Sequence, residues 1–154
     1  STDWAHMPDF YLDIQFESEL MFNNKPSQDP KSRQIARVLL KKIRHSPPKS
    51  QIFRGTTITK TELSSLKSGA AMVIPLSSFT NSKKIALEYA AMRGEEKAGD
   101  NLPLMLIVQN ARSYDVNTKS INNLALHETI SAGTFKIQNI DTKNGFVTIT
   151  VSSE

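Results

Sequence analysis

Residues 102–108, Leu-Pro-Leu-Met-Leu-Ile-Val, are apolar at every position. In an extended chain successive side chains point to opposite faces, so this segment is apolar on both. Such a strand needs neighbours at its edges and cover above and below, which makes it the centre of a sheet. A chain of 154 residues is long enough to supply that cover as one domain. The C-terminal end adds a hairpin: 134–140 and 146–151 flank a turn containing Asn144-Gly145, and Val147, Ile149 and Val151 alternate onto one face.

Helices are expected to flank this sheet. Asp29-Pro30 reads as an N-cap followed by proline at the first helical position. Ile35, Leu39 and Ile43 then recur at four-residue spacing until Pro47-Pro48 ends the pattern. The other side of that helix carries Lys31, Arg33, Arg37, Lys41, Lys42 and Arg44, with no acid between. Such a stripe is either a solvated face or a surface for phosphate. Further on, 51–54 reads as a short strand before Gly55 and a Thr-rich turn, and 60–68 as a helix with a Thr59/Glu62 capping box and Gly69 as its stop. The spacing predicts a strand over 72–76, a polar turn over 77–81, a helix over 82–92 and a loop over 93–101. The first thirty residues fit two patterns: Leu12, Ile14 and Phe16 alternate like a strand, while Trp4, Phe10, Leu20, Met21 and Phe22 suit a helix. The class is α+β and dominated by sheet, with a helical part at about 1–48 and a sheet core at about 50–152.

Composition narrows the chemistry. With no Cys, a disulfide scaffold, a Cys nucleophile and a thiolate metal site are excluded. His6, His45 and His127 are scattered, without HExxH spacing, so a metal site has no support, and GxGxxG, Walker and GxSxG signatures are absent. No apolar run approaches the ~18 residues of a membrane-spanning helix. Nineteen basic against fifteen acidic side chains give +4, a balance that tolerates anionic ligands without naming one. The chain begins at Ser1 with no signal-peptide layout and reads as one domain, 1–154, cut from something longer.

Three elements then occur in order: Phe53-Arg54-Gly55 at a strand, Ser78-Phe79-Thr80 before a helix, and Glu128, the only acid between Val116 and Ile140. With "FRGTTI", "LKSGAAMVIPLSSFTNSKKIALEYA", "PLMLIVQNARSYDV" and "HETISAGTFKI" following in sequence, the chain resembles the mono-ADP-ribosyltransferase superfamily, in its toxin-like clade with an arginine, a Ser-Thr-Ser-type motif and a catalytic glutamate. The resemblance runs from about residue 50 to 140. It implies an ADP-ribosyltransferase-like fold, two small, mostly antiparallel sheets around an NAD cleft, with flanking N-terminal helices.

The residues suit the reaction that the resemblance implies. Departure of nicotinamide from NAD neutralises the leaving group's own charge, so no general acid is needed. Positive charge develops on the ribose as an oxocarbenium ion, and a fixed carboxylate stabilises it. By resemblance Glu128 is that carboxylate and bonds the ribose 2′-hydroxyl. Arg54 would offer a planar fork to the diphosphate or ribose, and the backbone of Gly55 would grip the nicotinamide amide, its missing Cβ allowing close approach. Ser78 matches the first serine of the motif and Thr80 stands at its last, with Phe79 in place of the threonine. One of these hydroxyls would orient Glu128 while the other supports the site.

A second departure falls two residues before Glu128. Many relatives place Glu or Gln there to handle the acceptor, whereas this chain has Leu126, followed by His127, which could touch substrate. An arginine-acceptor signature is therefore missing. The resemblance implies NAD as co-substrate, no metal, and a macromolecular acceptor, protein rather than nucleic acid. It further implies a secreted or injected toxin or effector that acts in a target-cell cytosol without membrane insertion, with a cognate immunity protein as a partner. Hydrolysis of NAD, transfer to nucleic acid and a catalytically silent basic binding module are the alternatives. The joint presence of Arg54, Ser78, Thr80 and Glu128 favours the enzymes.

Overall fold

The computed structural model describes residues 8–96, 99–116 and 128–153. In chain order the elements are α1 (Pro8–Phe22), α2 (Pro30–Arg44), β1 (Pro48–Thr59), α3 (Lys60–Ser65), β2 (Ala71–Thr80), α4 (Lys83–Glu96), β3 (Asn101–Arg112), β4 (Tyr114–Asp115), β5 (Glu128–Lys143) and β6 (Phe146–Ser152). The expected α+β class holds. Backbone pairing runs β2-β1-β3-β6-β5-β4 through six strands, with β2 also meeting β5. β1 with β2, β4 with β5, and β5 with β6 pair antiparallel, and β3 with β6 pairs parallel.

The chain packs as two compact units. One comprises residues 1–48, 73–78 and 112–133. Its core gathers Ile14 of α1, Ala36, Leu39 and Ile43 of α2, Leu76, Val116 and Ile130. Asp29 caps α2, its carboxylate accepting from the Ser32 N–H and hydroxyl, and Pro30 opens the helix. From Pro8 to Phe22 the ambiguous N-terminal segment is helical, as α1, and Trp4 lies outside the described residues. Of the three residues that alternate like a strand only Ile14 is buried, with Leu12 and Phe16 exposed. The inward face instead carries two polar residues, Glu17 and Ser18, both buried.

The other unit comprises residues 49–72, 79–111 and 134–154. β3 lies between β1 and β6, as its two-faced apolar pattern requires, and the consecutive residues Leu104, Met105 and Leu106 are all buried. Its ladder with β6 pairs Leu104 with Val147 through to Gln109 with Ser152. The hairpin forms as the alternation predicts: Asn144 and Gly145 both take positive φ, 54° and 77°, and Val147, Ile149 and Val151 are fully buried.

Several boundaries differ from those predicted. β1 continues through Gly55 and the threonines to Thr59, because Thr56, Thr57 and Ile58 are β-branched and favour extended backbone. It stops where Thr59 and Glu62 close the capping box of α3, a helix shorter than the expected 60–68. β2 likewise runs on through Ser77, Ser78 and Phe79 to Thr80, where a turn was expected. The turn comes later: Thr80 Oγ1 accepts the Ser82 N–H at 3.0 Å, and Ser82 Oγ accepts the Ile85 N–H at 3.2 Å, leading into α4. α4 extends to Glu96, into the expected loop.

Candidate active site

Arg54 sits half-buried on β1, one residue after Phe53. Phe53 is the register partner of Thr80 on β2, so this pair brings the first and second motifs onto neighbouring antiparallel strands. Phe53 packs with Ala86 of α4 and Met105 of β3. Strand alternation puts Gly55 on the same face as Phe53 and Arg54 on the other.

Gly55 has a packing reason of its own. A Cβ built there would stand 2.0 Å from the Ala86 carbonyl oxygen, 2.6 Å from the Ala90 nitrogen and 2.9 Å from the Tyr89 Cβ. The space left by the missing side chain is filled by the backbone of α4, whose Ala86 and Ala90 are fully buried at four-residue spacing. The sequence carried that signal as a pair of alanines on one helix face opposite a strand glycine. The close approach that the missing Cβ was expected to allow is, on that side, made by α4.

Ser78 and Thr80 alternate onto one face of β2. Ser78 is half-buried, Thr80 is 8% exposed with its hydroxyl accepting the Ser82 N–H, and Phe79 between them is 3% exposed, in the core as expected. Thr80 therefore serves the turn into α4, the structural role that the sequence allowed for it beside any part in a site.

Glu128 is the first residue of β5 and half-buried. Its carbonyl accepts the Val116 N–H at 3.1 Å, and the next two residues pair with β4, Thr129 with Asp115 and Ile130 with Tyr114. Thr129, Ile130 and Ser131 are all buried, and the Ser131 hydroxyl donates to the Arg112 carbonyl at 2.8 Å. Glu128 thus stands at the start of a strand that is fixed by its neighbours. Ser78 and Glu128 belong to the helical unit, and Arg54, Gly55 and Thr80 to the other. Leu126 and His127 lie outside the described residues, as does the expected acceptor loop 117–126.

The basic stripe of α2 is partly committed. Arg33 Nε donates to Glu17 Oε1 at 2.9 Å, and the Lys42 ammonium lies 5.1 Å from the centre of the Tyr114 ring. Lys31, Arg37, Lys41 and Arg44 are exposed.

The largest feature missed in the sequence is Glu17 of α1, 1% exposed. Its carboxylate accepts the Ser27 hydroxyl at 2.7 Å, the Gln28 and Asp29 N–H groups at 3.0 and 2.9 Å, and Arg33 Nε. Burial pushes its pKa up, but the Ser27 hydroxyl, the two backbone N–H groups and Arg33 outweigh burial and hold it below the ordinary glutamate value. Every donor points at a carboxylate locked between α1 and the start of α2. Its work is structural. Among the described residues no three His, Cys, Asp or Glu side chains gather as metal ligands, and no helix is long and apolar enough to cross a membrane.

No protein-family model and no curated protein sequence matches the chain. Solved structures do. The fold is similar to that of the ADP-ribosyltransferase Vis in complex with the inhibitor M6, at a TM-score of 0.72 and 15% identity, over 99% of this chain and 70% of that one. Vis is a toxin from Vibrio splendidus. It is similar to exoenzyme S from Pseudomonas aeruginosa, solved with human 14-3-3 protein beta and bound to carba-NAD, at a TM-score of 0.64 and 12% identity, over 94% of this chain and 68% of that one. It is also similar to Plx2a, an ADP-ribosyltransferase toxin from Paenibacillus larvae, at a TM-score of 0.55 and 11% identity, over 95% and 86% of the two chains. The chain has the fold of ADP-ribosyltransferase toxins.

Proposed function

We propose that this chain is an NAD-dependent mono-ADP-ribosyltransferase that breaks the nicotinamide–ribose bond and transfers ADP-ribose to a macromolecule, a protein rather than a nucleic acid. What carries the reading is that a chain with the fold of ADP-ribosyltransferase toxins also holds Arg54, Ser78, Thr80 and Glu128 in motif order. Fold alone would not license an activity.

In this reading Arg54 holds NAD through a forked contact to the diphosphate or ribose, and the Gly55 backbone meets the nicotinamide amide. Glu128 bonds the ribose 2′-hydroxyl and faces the charge that appears on the ribose as the C–N bond breaks. The bonding pair leaves with nicotinamide, which becomes neutral, and the acceptor nucleophile takes the ribosyl carbon and gives up its proton. Ser78 orients Glu128. Thr80 supports the site from the turn into α4. In this reading the protein is a secreted or injected effector at work in a target-cell cytosol, with a cognate immunity protein as a partner.

A second reading, hydrolysis of NAD, is favoured by Leu126, an apolar residue where relatives carry an acceptor-handling Glu or Gln. Mass spectrometry of a target lysate incubated with isotope-labelled NAD separates the two. Labelled ADP-ribose fixed on protein supports transfer, whereas free ADP-ribose alone supports hydrolysis. No release of nicotinamide in either form would reject both. Arg54→Lys gives a second check: NAD binding measured by calorimetry should weaken on the order of tenfold or more, because a point charge cannot reproduce a fork. Equal affinity would remove Arg54 from the site.

A further inference from the structure

The edge of β2 just before Ser78 is held by side chains of α1. Gln15 Nε2 donates to the Leu76 carbonyl at 3.0 Å and to the Ser77 hydroxyl oxygen at 3.1 Å. The Leu76 N–H donates to the Ser18 hydroxyl at 2.9 Å, and that hydroxyl donates in turn to the Gln15 carbonyl at 2.6 Å. Both backbone polar groups of Leu76 are therefore satisfied by two residues one helical turn apart. In an extended strand the N–H and C=O of one residue point to the same edge. At Leu76, then, α1 closes that edge. The Ser77 hydroxyl, accepting from Gln15, donates to the Pro75 carbonyl at 2.8 Å. Leu76 and Ser77 are almost fully buried, so these bonds form away from water, where a lost partner is costly.

The clamp has a consequence two residues along. A strand that slips by one residue turns every side chain to the opposite face, and Pro75 has no N–H with which to pin its own register. We propose that Gln15 and Ser18 are positioning residues for the Ser78 hydroxyl: by fixing both backbone groups of Leu76 they set the face on which Ser78 emerges. The inference rests on the proposed NAD reaction, in which Ser78 orients Glu128.

Gln15→Met keeps the length of the side chain and removes the donor. Nicotinamide release from NAD is measured for the wild type and the variant at equal folded concentration, together with amide hydrogen exchange at residues 76–78. The expected result is a fall in kcat on the order of 10- to 100-fold, the usual effect of a displaced site group, with KM for NAD changed by less than about twofold. Exchange at Ser77 and Ser78 should quicken while that of α2 is unchanged. Gln15→Glu has the same shape and no Nε2 donor, and it gives the same result if the methionine variant does not fold. Wild-type kcat in a folded variant, or a loss that only follows the folded fraction, overturns the assignment. A wild-type protein that releases no nicotinamide overturns the reading of the site, and the positioning role with it.

Discussion

Two glutamates in two parts of the molecule show how differently one side-chain type can be used. Glu17, deep in the helical region, is surrounded by donors: a hydroxyl, two backbone N–H groups and a guanidinium. Glu128, at the first residue of β5, is half-buried, and its strand is held through its backbone and its neighbours' side chains. A carboxylate whose lone pairs are all occupied by the fold contributes stability and has nothing left for a substrate. In the proposed reaction Glu128 serves the substrate instead, facing the charge that develops on the ribose.

If that contrast is right, the two charge-neutralising variants should fail in opposite ways. Glu17→Gln should lose about 3–5 kcal/mol of stability, because the partly buried Arg33 guanidinium loses its counter-charge and the new amide NH₂ meets other N–H donors. Chemical denaturation measures this, and the activity per folded molecule should be close to that of the wild type. A Glu17→Gln protein as stable as the wild type would break the comparison on its structural side.

A smaller effect is expected at Gly55. Gly55→Ala drives a methyl group into the backbone of α4 and should cost about 1–3 kcal/mol, as overpacking does. An unchanged midpoint would mean that α4 moves aside freely, and Gly55 would then have no packing role.

The mildest test is acid. The folded-state pKa of Glu17 lies below its unfolded value of 4.5, so the unfolded chain binds its proton first as pH falls. The stability from Glu17 is therefore complete above that value and is lost as pH drops through the folded pKa. Below about pH 4.5 the wild type should lose stability faster than Glu17→Gln, and parallel curves down to about pH 3 would remove Glu17 as the cause.

The same contrast explains what could be read in the sequence. β3, the hairpin of β5 and β6, and α2 announce themselves because period, caps and turn residues agree: Asp29-Pro30 caps, Asn144-Gly145 turns, and Leu104 to Leu106 bury both faces. α1 was opaque for a physical reason. It buries Glu17 and Ser18 and exposes Leu12 and Phe16, so hydrophobic period points the wrong way. The bonds that make those polar positions tolerable reach residues 27–33 and 76, contacts that no local pattern encodes. The strand ends of β1 and β2 were misplaced similarly, since Thr and Ser look like turn residues until their partners are seen. Of the candidate site, Arg54, Ser78, Thr80 and Glu128 were legible as an ordered motif, whereas the cover of α4 over Gly55 and the grip of α1 on Leu76 required the fold.

The central claim is that the charge of Glu128 stabilises the ribosyl cation, and the rate of nicotinamide release by Glu128→Gln tests it most directly. The amide keeps the shape and can still accept from the 2′-hydroxyl, so NAD affinity should change little while the transition state loses its counter-charge. Release should fall on the order of 100- to 1000-fold relative to the wild type, as when one preorganised electrostatic partner is removed. A folded Glu128→Gln protein that releases nicotinamide at the wild-type rate would contradict the assignment.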